Sequence, residues 1–300
     1  MSKYFVGTAG WSYKDWEGIV YPSDKPTGFH PLVFLSGYIN IIEINSTYYR
    51  TPPVSMSISW IKRINDRPDF LFTVKLHQIF THQRKDFTQK EVDEFKKGVA
   101  PLHIEGRLAA ILIQFPWSFT GTPVHYDYLI RLFKLFSEFP LALEVRHSSW
   151  DETRFYTLLT ENKVAFCNID QPIFRNSIKP SSTSTNTDFA YVRLHGRNYE
   201  NWFKKNAGRD ARYDYLYQKE ELDEWIKRIK GLGQKSKKVF TITNNHYSGQ
   251  ALANAFQIKH MISGEKLDIP LSLLKQYPIL KDMLKEKKTG QLGLFHINEE

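Results

Sequence analysis

Ionisable residues recur at the ends of short apolar runs in this chain of 300 residues. Glu43 and Glu144 each follow aliphatic residues, and His77 and His195 end two further runs. A carboxylate or imidazole that lies near cations in a partly buried site can have a pKa near neutrality and exchange protons with a substrate. We therefore take Glu43 and Glu144 as candidate general bases, and His77 and His195 as candidate acids.

A second group of polar residues is suited to substrate binding. Lysine and arginine cations suit a phosphate or carboxylate group, asparagine amides would orient the bound molecule, and the tryptophan would form a stacking wall. The predicted substrate-binding residues are Thr8, Trp11, Asn45, Lys75, Gln114, Arg146, Asp170, Arg193, Arg197, Asn245 and His246.

These residues need elements that hold them together, and the apolar runs supply them. Eight runs have the length and composition of strands: residues 4–10, 41–47, 71–77, 108–115, 141–146, 164–170, 189–196 and 239–245. Helical spacing follows most of them, at residues 91–99, 126–138, 151–162, 220–231 and 250–262, with Asp151 as a candidate N-cap. Strands that alternate with helices predict a parallel sheet, and eight such units predict a closed (β/α)₈ barrel. An open, doubly wound sheet is the alternative.

Alternation along each run predicts which side chains enter the barrel. Helices cover the outside of a barrel, so apolar positions should point outward and the intervening positions inward. The early inward positions are then small or apolar: Val6, Ile41, Leu71, Ala110, Ala142 and Phe166. The polar inward positions come late: Thr8, Glu43, Asn45, Thr47, Thr73, Lys75, His77, Gln114, Glu144, Arg146, Asn168, Asp170, Arg193, His195, Thr243 and Asn245. This pattern predicts a polar pocket at the C-terminal ends of the strands, where barrel active sites form.

Two segments interrupt the alternation of strands and helices. Residues 180–188 (PSSTSTNTD) are polar and stand where a sixth helix is expected, which predicts a flexible excursion after strand 6. Residues 197–217 form a long connection after the seventh run. We expect residues 1–265 to form the barrel domain. Residues 266–300 should add an amphipathic helix near residues 271–284 and a polar, basic tail that is not a separate domain.

Composition limits the class of protein. The formal net charge is +9, which attracts phosphate-rich partners, and no apolar run approaches the roughly 20 residues of a membrane-spanning helix. No membrane partner is therefore expected. Residues 1–10 do not have the pattern of a secretory leader, and the single cysteine, Cys167, rules out an internal disulfide. These features favour a reducing, cytoplasmic location. Cys167 itself is either a buried apolar residue or a nucleophile.

Several longer motifs resemble a widespread family of barrel proteins, the domain-of-unknown-function family numbered 72. They are residues 7–13 (GTAGWSY), 43–50 (EINSTYYR), 114–116 (QFP), 144–147 (EVRH) with 149–150 (SW), 193–197 (RLHGR), 213–215 (YDY) and 244–246 (NNH). The first motif departs slightly from the family, which usually has serine where this chain has Ala9. The resemblance runs from about residue 5 to about residue 256. It implies a TIM-type barrel, and its likeness to sugar isomerases and endonucleases is an analogy of fold only.

Three functions stay open at this point. The first is an enzyme of hydrolase or isomerase type that acts on a small anionic or sugar-like substrate by acid/base chemistry. No cofactor is predicted for it, although Glu43, Glu144, Asp170 and His195 are ligand types for a divalent metal.

The second is a protein that binds or cleaves nucleic acid. Residues 197–217 interleave the cations Arg197, Lys204, Lys205, Arg209 and Arg212 with the aromatic residues Tyr199, Trp202, Phe203, Tyr213, Tyr215 and Tyr217. The alternative is that these aromatic residues pack as a lid. The third function is ligand binding without turnover. The chain has no Walker loop, no dinucleotide-binding glycine motif and no nucleophile elbow, which argues against P-loop hydrolysis, Rossmann-type dehydrogenation and serine-hydrolase chemistry.

Overall fold

Eight parallel strands close into a barrel in the computed structural model, which describes residues 2–84, 87–204 and 210–286. Each strand pairs with its sequence neighbours, and the last strand pairs with the first over six residues. The strands are β1 (Lys3–Ala9), β2 (Ile41–Ile44), β3 (Leu71–Lys75), β4 (Leu108–Gln114), β5 (Leu141–Glu144), β6 (Ala165–Asp170), β7 (Phe189–Leu194) and β8 (Lys238–Thr243). The predicted barrel is confirmed, and the open sheet is wrong.

Helices follow every strand except β6. They are α1 (Pro31–Ser36), α2 (Ser46–Tyr49), α3 (Val54–Arg63), α4 (Gln89–Ile104), α5 (Pro123–Leu135), α6 (Thr153–Glu161), α7 (Lys219–Gly233), α8 (Gln250–Ser263) and α9 (Leu271–Gln276). The five predicted helices correspond to α4–α8. Helices α1 and α3 have no predicted counterpart, because α1 is short and α3 is rich in serine, a weak helix former. In the described part of the chain, none of these helices combines the length and hydrophobicity that a bilayer-spanning helix requires.

The N-terminal cap of α6 differs from the prediction. Glu152 occupies the cap position and makes no side-chain capping bond. Asp151, the predicted cap, instead accepts a hydrogen bond at 2.8 Å from the Tyr156 hydroxyl. The helix thus begins one residue later than predicted, and Asp151 bonds to a side chain of the first turn instead of capping the helix.

The segment after β6 is irregular, as predicted, but it is held by hydrogen bonds rather than left free. Asn168 on β6 accepts hydrogen bonds from Ser181 Oγ at 2.7 Å and from the Thr183 amide at 2.9 Å. The Thr185 hydroxyl accepts from the Phe166 amide at 2.8 Å and donates to the Val164 carbonyl at 2.7 Å. The polar segment thus covers the outside of β6 in place of a helix and satisfies the polar groups there.

Aromatic side chains fill the N-terminal half of the barrel. The Phe240 ring lies 5.6 Å from that of Phe5, 5.3 Å from that of Phe189 and 6.4 Å from that of Tyr191. A separate layer between β7, β8 and the outer helices includes Trp225, which is fully buried. The lower barrel is therefore closed, and polar side chains are confined to its C-terminal end.

The predicted direction of side chains is wrong in β1 and β8. Thr8 lies in register with Ile42 and Thr243, and all three point outward. The Thr243 hydroxyl lies 2.9 Å from the Ala251 carbonyl in α8, and its inward neighbour Ile242 is in register with Arg193. Alternation was an unsafe guide because both faces of a barrel strand are buried, so apolar residues such as Phe240 also fill the interior. Val6 likewise packs outward with the helices.

The predicted direction is also wrong in β6. Cys167 and Ile169 are in register with Tyr191 and Arg193, whose side chains enter the barrel. Asn168, Asp170 and the predicted inward Phe166 therefore point outward. The prediction failed because the segment that covers β6 is polar, so the outward positions of this strand are not required to be apolar.

The C-terminal helix predicted near residues 271–284 is interrupted. Helix α9 ends at Gln276, and residues Pro278–Met283 form a 3₁₀ helix instead, because the proline ring cannot continue an α-helix. Leu273 and Leu280 are fully buried against the barrel. The predicted basic tail lies outside the described residues from residue 287 onward.

Close approach of α4 to the chain before α3 makes a glycine necessary. A Cβ atom at Gly98 would lie 2.3 Å from the Pro52 carbonyl oxygen, whereas one at Gly231 in α7 would meet no atom within 4 Å. We expect Gly98→Ala to lower the free energy of unfolding by about 1–3 kcal/mol. The control Gly231→Ala should be neutral or stabilising by up to about 1 kcal/mol. Denaturant unfolding measures both, and equal stability of the two variants would contradict the packing argument.

Candidate functional site

Arg193 crosses the top of the barrel and joins two carboxylates from other strands. Its Nε and Nη2 donate to Glu43 Oε2 at 3.0 Å and Oε1 at 2.6 Å, and its Nη1 donates to Glu144 Oε2 at 3.1 Å. Arg193 is 2% exposed, and both glutamates are fully buried. Buried charges are tolerated when they are paired and hydrogen-bonded in this way. The three residues therefore form the ionic floor of the barrel mouth.

Glu144 is the most heavily engaged carboxylate. Its Oε1 accepts hydrogen bonds from Arg146 Nη2 at 2.8 Å, Arg146 Nε at 3.1 Å and His195 Nε2 at 3.1 Å. Burial alone would raise the pKa of Glu144, but the charges of Arg193 and Arg146, together with the hydrogen bond from His195, hold it well below 4.5. A carboxylate with so low a pKa is a poor general base at neutral pH.

His195 is neutral in this setting. Asn244 Nδ2 lies 3.0 Å from His195 Nδ1, so the amide donates to that nitrogen and the ring proton lies on Nε2, which faces Glu144. Burial, followed by the charges of Arg146 and Arg193, lowers the pKa of His195 to about 3 despite the opposing effect of Glu144. His195 therefore supports Glu144 and holds no proton that it can release near neutral pH.

Tyr191 completes the floor and was not predicted. Its hydroxyl lies 3.0 Å from Glu43 Oε2 and 2.9 Å from Thr73 Oγ1. Burial raises the pKa of Tyr191 well above its usual value, so the hydroxyl stays protonated. The alternation that placed Arg193 and His195 inward places Tyr191 inward as well, so the signal for it was present in the same strand.

A cleft of two adjoining compartments opens above this floor, with volumes of about 380 and 350 Å³. The compartments share four lining residues, Tyr49, Lys75, Gln114 and Tyr213. The first is also lined by Trp11, Tyr13, Asn45, Arg193, Asn244 and His246. The second is also lined by His82, Trp117, Arg146, Phe174, Trp202 and Arg212.

The charge of the cleft is one-sided. Lysine and arginine side chains line it, and among the described residues no aspartate or glutamate does. Glu43 and Glu144 lie beneath the lining and are occupied by Arg193. In the second compartment, burial and then the charges of Lys75 and Arg146 lower the pKa of His82 to about 4, so this ring is neutral. Such a lining attracts an anion.

Lys75 differs from the other cations of the site. Within the described residues its Nζ makes no hydrogen bond or ion pair, and it lies 4.5 Å from the centroid of the Tyr48 ring. Burial and then the charge of Arg193 lower the pKa of Lys75 to about 8, against opposing effects of Glu43 and Glu144. Its amine is therefore partly neutral in weakly alkaline solution.

Aromatic rings and amides form the first compartment. The Tyr13 and His246 rings stack with centroids 4.3 Å apart, and the Trp11 ring meets Trp60 edge to face at 6.0 Å. Asn45 Oδ1 is buried and accepts no hydrogen bond from the described residues. This compartment thus offers flat apolar surfaces and an acceptor for a ligand hydroxyl or amino group.

Five predicted site residues lie outside the cleft, namely Thr8, His77, Asp170, Arg197 and Asn245. His77 contacts the Tyr49 carbonyl at 3.2 Å and accepts from the Ile79 amide at 3.2 Å. Asn245 donates to Asn254 of α8 at 2.7 Å, and the Thr8 hydroxyl donates to the Gly10 carbonyl at 3.0 Å. Asp170 pairs with Arg197 at 2.9 Å on the outer face. These residues have the chemical types that a site requires, but their side chains point outward or sideways and so do not reach the cleft.

The outward direction of Asp170 also bears on the four predicted metal ligands. Glu43, Glu144 and His195 share the barrel mouth, but Asp170 lies on the other side of β6. No group of three or more histidine, cysteine, aspartate or glutamate side chains with an arrangement suited to a metal occurs among residues 2–84, 87–204 and 210–286. Both glutamates instead accept hydrogen bonds from arginines.

The described parts of the connection 197–217, residues 197–204 and 210–217, pack largely as a lid. Arg197 is held by Asp170 and by Glu221, each at 2.9 Å. Trp202 is 8% exposed and covers Arg146, with 5.6 Å between the guanidinium carbon and the ring centroid. Tyr217 is buried, and the Tyr215 hydroxyl donates to Glu221 at 2.6 Å. Two cations predicted for this segment, Lys205 and Arg209, lie outside the described residues.

The ionic floor generates a stability prediction. Glu144→Gln removes the charge that compensates two arginines, so we expect it to lower the free energy of unfolding by about 3–5 kcal/mol at pH 7. Because folding lowers the pKa of Glu144 below 4.5, its contribution is complete at neutral pH and is lost as the pH falls below that value. The difference between native protein and variant should therefore shrink between pH 7 and pH 3.

Glu94→Gln is the matched control. Glu94 makes an exposed pair with Lys90 at 3.9 Å, and its loss should cost less than about 0.5 kcal/mol. Denaturation followed by circular dichroism across this pH range measures both variants. If Glu144→Gln is as stable as Glu94→Gln at pH 7, the ionic floor does not stabilise the barrel.

Known proteins match nearly the whole chain. The model of the family described as Protein of unknown function DUF72 matches residues 5–276. The UPF0759 protein YunF of Bacillus subtilis (strain 168) is 31% identical over 278 residues, which cover 87% of this chain and 95% of that protein.

Solved structures agree. A DUF72 family protein from Thermotoga maritima MSB8 is 35% identical, with a TM-score of 0.76, covering 87% of this chain and 99% of that one. A DUF72 family protein from Enterococcus faecalis V583 is 24% identical with a TM-score of 0.76, covering 88% and 97%, and it supports the fold alone. The chain therefore belongs to the DUF72 family of proteins of unknown function, and its architecture is a closed, eight-stranded parallel barrel.

Proposed function

We propose that this protein is an enzyme that binds a small phosphate-bearing or sugar-like substrate in the cleft and acts on it by acid/base chemistry. The observation that carries this proposal is the charge of the lining. Lys75, Arg146, Arg193 and Arg212 line the two compartments, and no carboxylate does so among the described residues. A cleft with this lining favours a ligand that brings its own negative charge.

The second compartment is suited to the anionic group. Glu144 engages the Nε and Nη2 atoms of Arg146, and within the described residues Arg146 Nη1 makes no hydrogen bond. The side chain is 14% exposed and keeps one face against Trp202. Arg146 is thus oriented by one carboxylate while it presents its remaining donors to the cleft, and Arg212 adds a second cation.

The first compartment is suited to the uncharged part of the substrate. The flat faces of Trp11 and Tyr13 can pack against a sugar ring, and Asn45 Oδ1 can accept from one of its hydroxyl groups. The two compartments together are large enough for a phosphorylated sugar, because small-ligand sites occupy about 300–1,000 Å³.

Proton transfer falls to Lys75 rather than to the glutamates. Glu43 and Glu144 are fully buried beneath the lining, and both accept hydrogen bonds from Arg193. Lys75 lines both compartments, and its pKa of about 8 lets it gain and lose a proton near neutral pH. The proposal therefore moves the acid/base role from the predicted residues to this lysine.

Arg146→Gln tests the anion site. Loss of a charged hydrogen-bonding group should weaken binding of inorganic phosphate and of glucose 6-phosphate by roughly 10- to 100-fold, measured by calorimetry at low salt. The fold should survive, because Glu144 keeps its bonds to Arg193 and His195.

Arg228→Gln on α7 is the control and should bind like the native protein, since Arg228 pairs with Glu224 on the outer surface at 3.5 Å. No binding of either probe by the native protein would refute the proposal. Binding without conversion of any sugar phosphate, followed by NMR, would instead identify a ligand-binding protein without turnover.

Nucleic-acid binding is a second candidate, supported by exposed aromatic rings beside the second compartment. Tyr199 and Phe203 are 51% and 58% exposed, and both rings lie near Phe174, with centroid distances of 5.7 and 4.8 Å. Exposed rings next to cations can stack unpaired bases while the cations hold phosphates.

Tyr199→Ala tests this second candidate. If bases stack there, the variant should bind a single-stranded or abasic oligonucleotide roughly tenfold more weakly, since each stacked base contributes about 1–3 kcal/mol. Binding by the native protein should also weaken between 50 and 200 mM salt, about as expected for several phosphate contacts. Fluorescence anisotropy measures both effects, with Ile104→Ala as an exposed apolar control in α4. Absence of binding at low salt would exclude this function.

A further inference from the structure

We propose that Lys75 forms an imine with the carbonyl carbon of a phosphorylated aldehyde or ketone held in the cleft. This inference rests on the proposed function and names the substrate class for the same site. The structural basis is an amine that lies at the junction of two compartments, without the carboxylate partner that the other buried cations of the barrel mouth possess.

The pairing of the cations shows how unusual Lys75 is. Arg193 binds Glu43 and Glu144, Arg146 binds Glu144, and each contact is 3.1 Å or shorter. Arg193 and Arg146 thus take up the carboxylates that could have neutralised Lys75. Within the described residues its Nζ makes no hydrogen bond or ion pair and lies 4.5 Å from the centroid of the Tyr48 ring.

An unpaired ammonium group in this position is costly, and releasing its proton removes the cost. Burial disfavours the charged form of an amine, and neighbouring guanidinium groups disfavour it further. Both effects act on Lys75 and bring its pKa to about 8. Desolvation and adjacent cations are the means by which lysine becomes a nucleophile toward carbonyl groups in proteins.

The location of Lys75 connects the two halves of the substrate. It lies on the wall that both compartments share, together with Gln114 and Tyr213. A phosphate held by Arg146 and Arg212 in the second compartment therefore leaves the adjoining carbons beside the amine. The remaining hydroxylated part extends into the first compartment, where Asn45 offers its free acceptor.

The step is a condensation that needs no oxidant or reductant. The neutral Nζ attacks the carbonyl carbon, and the C=O π pair becomes an alkoxide that takes up a proton, which gives a carbinolamine. The two hydrogens of the amine and the carbonyl oxygen then leave as water, and a C=N bond joins Lys75 to the substrate. Protonation of this imine withdraws electrons from the adjacent carbon, which favours loss of a proton there.

Reductive trapping tests the proposal on the full-length protein. The protein is incubated with glyceraldehyde 3-phosphate and sodium cyanoborohydride, which reduces an imine to a stable secondary amine, and the modified lysine is located by peptide mass spectrometry. At pH 8 an amine with a pKa of about 8 is half neutral, whereas an ordinary lysine is about 100-fold less so. We expect Lys75 to react at least about tenfold faster than any surface lysine, with a rate that rises with pH through about pH 8.

Four controls separate this inference from the proposed function. Lys75→Arg retains a cation but cannot form an imine, so the rapid labelling should disappear, whereas Lys90→Arg on the exposed face of α4 should label as the native protein does. Unphosphorylated glyceraldehyde should react about tenfold more slowly at Lys75, and inorganic phosphate should protect Lys75 in the native protein but not in Arg146→Gln.

Each outcome has a distinct meaning. Labelling spread evenly over surface lysines, while inorganic phosphate still binds, would overturn the imine and leave the anion site standing. Equal labelling of Lys75 by glyceraldehyde and its phosphate, without phosphate protection, would overturn the phosphorylated substrate class and the anion site together. If Lys75→Arg does not fold, the mapped position and pH profile of labelling in the native protein decide the matter.

Discussion

The contact between Arg193 and two glutamates is the constraint on which the mouth of this barrel depends. Three strands that are remote in sequence, β2, β5 and β7, each place one charged side chain over a core of aromatic rings. Arg193 donates two hydrogen bonds to Glu43 and one to Glu144, and Arg146 donates two more to Glu144. The two glutamates and the two arginines balance in charge. Removal of Glu43, Glu144 or Arg193 would leave uncompensated charge in the buried floor, which ties the geometry of the floor to its charge state.

This arrangement determines the character of the cleft above it. Both carboxylates are fully buried and accept hydrogen bonds from arginines, so the surface that a ligand meets is cationic among the described residues. Among the described residues the network leaves Lys75 without a carboxylate partner, and burial lowers the pKa of its amine. A cleft lined by unpaired carboxylates would suit a divalent metal ion, whereas the ligand we propose carries a phosphate and an electrophilic carbon.

The missing helix after β6 shapes the other side of the site. The polar segment that replaces the helix hydrogen-bonds to Asn168. Further along the outer face of β6, Asp170 pairs with Arg197. Asp170 and Arg197 therefore attach the connection 197–217 to the barrel instead of facing the ligand. The fastened connection brings Trp202 over Arg146, so the irregularity in the barrel positions one wall of the second compartment.

The barrel could be predicted from the sequence, because alternation of strands and helices reflects hydrophobic burial that acts locally along the chain. The same alternation predicted that charged side chains meet at its mouth, but not that they pair with one another as an ionic floor. Glu43, Glu144 and Arg193 were placed correctly, since the apolar residues around them leave only one direction for a charge. The tertiary structure alone decided the direction of Thr8, Asp170 and Asn245, because both faces of a barrel strand are buried and a polar loop can replace a helix. It also decided that Lys75 has no carboxylate partner among the described residues, since this depends on how Arg193 and Arg146 pair with Glu43 and Glu144 across the closed sheet.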